Sequence, residues 1–103
     1  FRLAGCKIRF TGGYSGWAPN SASPILATMK GVYKNLYGKE PLVMAIHAGL
    51  ECGILAGAYP HWDMVSMGPT LLSPHSPDER CHIPSVARCW DFLKAVLEAI
   101  PQK

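Results

Sequence analysis

No stretch of this 103-residue chain approaches the ~20 consecutive apolar residues of a membrane-crossing helix, so no membrane contact is expected. Its ten Lys and Arg outnumber seven Asp and Glu by only three, and the cations are scattered rather than gathered into a stripe. That excludes the basic footprint of a nucleic-acid binder. Low-complexity tracts are absent as well. The four cysteines, Cys6, Cys52, Cys81 and Cys89, include no CxxC pair, which argues against a structural zinc framework. They read as reduced thiols of a cytoplasmic protein, with Cys52 and Cys89 as small hydrophobes on apolar faces. Phe1-Arg2-Leu3 offers neither an initiator Met nor the apolar core of a signal peptide. What remains is globular: 49% apolar and 17% charged, enough for one small domain burying about two-thirds of its unfolded surface.

Along the chain, residues 2–10 alternate, with Cys6, Ile8 and Phe10 on one face and Lys7 and Arg9 on the other. Period two with one polar face predicts a half-buried strand, already under way where the chain begins. Three glycines between Thr11 and Gly16 then break regular structure, with Tyr14 and Trp17 as packing pegs. Ser23-Pro24 predicts a helix start, Ile25, Met29, Val32 and Leu36 recur on one face, and Gly38 closes the helix. The apolar run 42–46 predicts a strand covered on both faces. A second helix follows His47-Ala48-Gly49-Leu50-Glu51, weakened by Gly53 and Gly57 and stopped by Pro60. Residues 64–67 predict another short core strand. Ile83-Pro84-Ser85 opens a last helix with Val86, Cys89, Trp90, Leu93, Val96, Leu97 and Ile100 as a wide apolar face. The resulting order, β, α, β, α, β, loop, α, predicts an α/β fold drawn from a three-layer sheet.

Two turns carry the chemistry. Residues 67–80 leave the last strand as a loop stiffened by Pro69, Pro74 and Pro77, with the imidazole of His75 at its centre. The turn at 47–51 places small residues and a helix start at a strand end, where exposed N–H groups suit a substrate carboxylate. Read alone, His75 fits a solvated loop histidine better than a ligand. His47 reads first as a satisfied, partly buried imidazole, and Glu51 as a carboxylate complementing the helix dipole.

Three motifs bear on that choice. Gly68-Pro69-Thr70 followed by Pro74-His75-Ser76-Pro77-Asp78-Glu79-Arg80 resembles the metal-ligand loop of the aminoacyl-histidine dipeptidases, the carnosine-splitting branch of the M20 dizinc peptidases. Ile46-His47-Ala48-Gly49-Leu50-Glu51-Cys52-Gly53 resembles a second motif of that branch, and Gly12-Gly13-Tyr14-Ser15-Gly16-Trp17 with Pro19 a third. The resemblance implies the C-terminal part of a three-layer α/β/α zinc-peptidase catalytic domain, preceded by the last strand of an inserted lid or dimerisation domain. Residues 1–12 would end the lid, 13–20 form the hinge, and 21–103 belong to the catalytic domain.

The same resemblance implies a metallodipeptidase hydrolysing Xaa-His or other dipeptides through a water activated by two zinc ions, with Mn or Co as alternative metals. It makes His75 a metal ligand, and Asp78 and Glu79 supports behind it. His47, Gly49 and Glu51 then become substrate contacts, and a homodimer through the lid is implied. Arg80 reads equally as an ion-pair partner of Asp78 or Glu79 and as a substrate contact. The family's H-x-D histidine, bridging aspartate, other carboxylate ligands and glutamate base have no counterpart here. This chain alone is therefore expected to be inactive and to hold no metal. The competing readings are a small α/β module binding an anion without catalysis, and a metal-free relative kept for association. An H-x-D motif in a longer reading frame separates them from the enzyme.

Overall fold

A serine followed by proline starts the first helix, and a glycine ends it. In the computed structural model, which describes residues 1–46 and 48–101, α1 spans Pro24–Tyr37. Ser23 Oγ accepts the Leu26 N–H at 3.0 Å, satisfying one of the donors that a helix start leaves unpaired. A second is taken from far along the chain, where Asp63 Oδ2 accepts the Ile25 N–H at 3.0 Å. At the other end Gly38 adopts φ 67°, and its N–H donates to the Lys34 carbonyl at 2.8 Å. Lys34 Nζ then meets Glu40 Oε1 at 2.8 Å across this turn. The hydrogen bond between them raises the Lys34 pKa and lowers that of Glu40. The pair therefore favours the folded state between the two titrations, fading as acid protonates Glu40 or as base neutralises Lys34. Both groups are fully exposed, so the effect is slight.

The last helix, α3 (Ile83–Ala99), packs on α1. Met29 at 7% exposure and Val96 at 4% are the buried apolar side chains among the described residues. Tyr33 packs edge-on against Tyr37 and Phe92, with centroids 4.7 and 5.4 Å away. The Tyr37 hydroxyl donates to the Arg88 carbonyl at 2.8 Å, tying the end of α1 to the middle of α3. Asp91 and Lys94 pair at 3.0 Å on the outer side of α3. The wide apolar face predicted for α3 is only partly covered: Trp90 and Leu97 are each 59% exposed, and Val86, Leu93 and Ile100 are exposed too. Leu36 at the end of the α1 stripe is likewise exposed.

The strands differ most from expectation. Residues 2–10 form no strand; Arg2–Ala4 is a single 3-10 turn and the rest is irregular and exposed. Residues 42–46 and 64–67 are also outside regular structure. Leu42 is 84% exposed and Met44 69%, the opposite of a strand covered on both faces. The physical reason is the ladder. An extended segment becomes a strand only when a neighbour satisfies its N–H and C=O groups, and none lies alongside these segments among the described residues. The sheet that does form is an antiparallel hairpin of β1 (Leu71–Leu72) and β2 (Arg80–Cys81), with Leu71 opposite Cys81 and Leu72 opposite Arg80. Two-residue strands are too short to show alternation, so the pattern could not reveal them.

Ser85 fastens this hairpin to α3. Its buried hydroxyl accepts the Thr70 N–H at 2.8 Å and donates to the His82 carbonyl at 2.6 Å, while the His82 N–H returns to the Thr70 carbonyl at 3.0 Å. The remaining helix, α2, spans Glu51–Ala58 and ends as Tyr59 stacks on Trp62 at 4.2 Å. The order of helical and strand elements is thus α, α, β, β, α rather than an alternation, with α/β content throughout. The residues fall into two compact units, one of residues 1–18 and 47–62, the other of residues 19–46 and 63–103. Among the described residues no helix is long and apolar enough to cross a membrane.

Gly31 lies inside α1 with open space where a Cβ would go, so Gly31→Ala should stabilise the chain by about 0.5–1 kcal/mol. Gly38→Ala, forced into a left-handed turn, should cost about 1 kcal/mol or more. Urea melts of the two variants beside the unsubstituted chain test this, and shifts of the same sign would contradict it.

Candidate functional site

The tip of the β1–β2 hairpin, residues 73–79, is the stiff loop that carries His75. Two of its residues hold left-handed backbone without being glycine: Ser73 at φ 51° and His75 at φ 62°. Each such residue costs about 1–2 kcal/mol, so the loop keeps this shape only if other contacts compensate. Those contacts are local hydrogen bonds. The Ser76 hydroxyl donates to the Ser73 carbonyl at 2.8 Å and accepts the Asp78 N–H at 3.2 Å. The Glu79 N–H donates to the Ser76 carbonyl at 3.1 Å. Glu79 Oε2 reaches back to accept the His75 N–H at 3.2 Å. A charge-assisted bond of this kind contributes about 1.5–3 kcal/mol when sheltered and less at an exposed loop such as this one, which is of the order of the strain it opposes.

The imidazole of His75 is exposed and receives no hydrogen bond among the described residues. Glu79 engages the backbone of the turn through its carboxylate, whereas Asp78 takes part through its backbone N–H, which donates to Ser76 Oγ. Arg80 forms no ion pair with either carboxylate among the described residues. Ser76 is the residue that the sequence reading missed. Its signal was the serine between two prolines, since a hydroxyl placed there can replace the backbone donors that proline removes.

A neutral imidazole on a braced loop is a donor that zinc accepts, and on that chemistry His75 fits as one ligand. Among the described residues no group of three or more His, Cys, Asp or Glu could enclose an ion. Any complete site needs ligands from outside them.

The second candidate cluster lies at the start of α2. Leu50 caps the helix in extended conformation without a side-chain hydrogen bond, leaving Glu51 in the first turn. Its carboxylate complements the positive end of the helix. Gly49 lies directly against the Tyr14 hydroxyl, where an added Cβ would collide. One turn on, a Cβ at Gly53 would stand 2.7 Å from the Ser15 carbonyl oxygen, and one at Gly57 would meet Ser15 Oγ at 3.1 Å. Gly53 and Gly57, one turn apart, therefore share a face of α2 against Ser15, and Gly49 just before the helix meets Tyr14 of the same loop. Gly53 and Gly57 weaken the helix by propensity, and their i, i+4 spacing is the sequence signal of the close packing that offsets it. His47 lies outside the described residues. Gly49 and Glu51 belong to one compact unit, and His75, Asp78 and Glu79 to the other.

The motif resemblance is borne out by known proteins. The chain is 47% identical over 102 residues to the cytosol non-specific dipeptidase of Escherichia coli (strain K12), covering 99% of this chain and 21% of that protein. Among solved structures it matches the aminoacylhistidine dipeptidase of Vibrio alginolyticus with a TM-score of 0.82 and 51% identity, over 99% of this chain and 21% of that one. The chain is thus a homologue of about one-fifth of the length of these dipeptidases. No family model matches it.

The contact at Gly53 gives a direct test. Gly53→Ala should cost about 1–3 kcal/mol, because its Cβ would meet the Ser15 carbonyl, which is backbone. Gly49→Ala should cost less than about 1 kcal/mol, since the exposed Tyr14 side chain that it meets can turn aside. Chemical denaturation of the two variants checks this, and a larger loss at Gly49 than at Gly53 would contradict it.

Proposed function

We propose that this chain is part of a metal-dependent dipeptidase that hydrolyses Xaa-His, carnosine-like, or other dipeptides, and that it contributes one metal ligand and part of the substrate contact. The observation that carries the proposal is the identity of 47% and 51% to two dipeptidases over 99% of the chain. In this reading the chain belongs to the C-terminal part of a three-layer α/β/α catalytic domain. Residues 1–12 close an inserted lid domain through which the protein dimerises, and 13–20 form the hinge. The name of the Escherichia coli relative supports placing the protein in the cytoplasm.

His75 would donate an imidazole nitrogen to one of two zinc ions, with Mn or Co as alternatives, while Asp78 and Glu79 support its loop. When bound there, zinc would supply Lewis-acid chemistry for peptide hydrolysis. The braced turn of residues 73–79 limits the positions His75 can take, so little ordering remains to be done when a ligand is needed there. At the start of α2, Glu51 offers a carboxylate to the ammonium end of a zwitterionic dipeptide, and the free N–H groups of the first turn suit its carboxylate end. Substrate contacts at Gly49 and His47 are proposed from the motif alone; in the structure the Tyr14 hydroxyl lies against Gly49, so a ligand there would have to displace it.

The decisive assay uses the full-length protein, chelated and re-metallated, with His75→Ala beside it. Dipeptidase activity restored by zinc should fall by more than about 100-fold in the variant. Undiminished turnover would remove His75 from the metal site. The 103 residues alone should show no dipeptidase activity and no tight zinc site by calorimetry, and a sub-micromolar site there would overturn the assignment of roles.

A further inference from the structure

A zinc-binding histidine commonly donates its other ring N–H to a carboxylate, a carbonyl or a water, which fixes the tautomer, and Glu79 is near enough in sequence to be considered for that role. Here Glu79 does something else: its Oε2 accepts the backbone N–H of His75 at 3.2 Å. That N–H belongs to a residue at φ 62°, and a left-handed residue projects its side chain differently from one in the ordinary right-handed or extended regions. Between Pro74 and Arg80 the backbone has four N–H groups, at His75, Ser76, Asp78 and Glu79. Three of them are engaged within the loop: by Glu79 Oε2, by Ser76 Oγ and by the Ser76 carbonyl. The Ser76 hydroxyl also donates to the carbonyl of Ser73, the other left-handed residue.

We propose that Glu79 and Ser76 are positioning residues that hold the left-handed backbone of His75, and that this backbone state, rather than a bond to the ring, aims the imidazole at the metal. The proposal rests on the reading of His75 as a zinc ligand. Glu79 acts as an acceptor, so its oxygen matters more than its charge. Ser76 acts at the base of the turn, linking Ser73 to Asp78 without touching the imidazole. Losing either contact lets His75 relax toward negative φ, which carries the ring away from its ligand position.

Four variants of the full-length protein test this by zinc competition against a chelating dye and by hydrogen exchange at the His75 amide, read by NMR with selective histidine labelling. Glu79→Ala should weaken zinc about 10- to 100-fold and speed His75 amide exchange about fivefold, the worth of one exposed hydrogen bond. Glu79→Gln, which keeps a carbonyl oxygen at the same reach, should stay within about threefold of the unsubstituted protein in both. Ser76→Ala should weaken zinc about tenfold, and it carries the test should Glu79→Ala fail to fold. Unchanged affinity and exchange in Glu79→Ala or Ser76→Ala overturn the proposal, as does a Gln variant as impaired as Ala. His75→Ala separates the two readings. If it retains full zinc affinity, the ligand assignment fails even where the amide is protected by Glu79. If it loses zinc while Glu79→Ala and Ser76→Ala do not, only the positioning role fails.

Discussion

The Ser85 hydroxyl is the join on which the placement of the histidine loop depends. It is buried, accepts the Thr70 N–H at 2.8 Å and donates to the His82 carbonyl at 2.6 Å, so one side chain connects the strand entering the hairpin with the helix leaving it. Both bonds are part-buried, and the Ser85 hydroxyl, itself buried, would be costly to leave unpaired. From Ser85 the support continues along α3, which meets α1 through Tyr33 on Phe92 and through the Tyr37 to Arg88 bond. The turn bearing His75 therefore grows from a braced helix pair, the kind of support a ligand-bearing loop needs if its geometry is to persist.

Close packing is achieved differently at the start of α2. Glycine costs helix stability, up to about 1 kcal/mol relative to alanine, and Gly53 and Gly57 both stand within eight helical residues. The cost is offset by approach: the Ser15 carbonyl reaches a position 2.7 Å from where a Cβ of Gly53 would be. Two of the three motifs that carry the family resemblance, the Gly-rich loop and the turn before α2, are thus one packed feature. Their glycines belong together because backbone can approach backbone only where side chains are missing.

Much of the apolar surface has no cover among the described residues. Leu42, Met44, Trp90 and Leu97 are all more than half exposed. The segments 42–46 and 64–67 have the composition of core strands and none of the pairing. The same limit separates the two candidate clusters in legibility. The histidine, the carboxylates and the glycines could be picked out by type and spacing. That Glu79 would grip a backbone amide instead of an imidazole could not, because side-chain reach around a hairpin depends on φ values that residue identity alone leaves open.

Local chemistry made the helices readable. Ser23-Pro24 and Gly38 bound α1, Pro84 opens α3 and Pro60 follows α2, each acting within one turn of its own position. Tertiary structure decided the rest: the Asp63 cap on α1 from 38 residues away, the hairpin under the loop, the glycine contacts and the left-handed histidine. Caps and breakers act through bonds that close within a few residues, so their meaning travels with the sequence. Strands, grooves and aimed side chains need partners brought from elsewhere, and only the folded chain says which partners arrive.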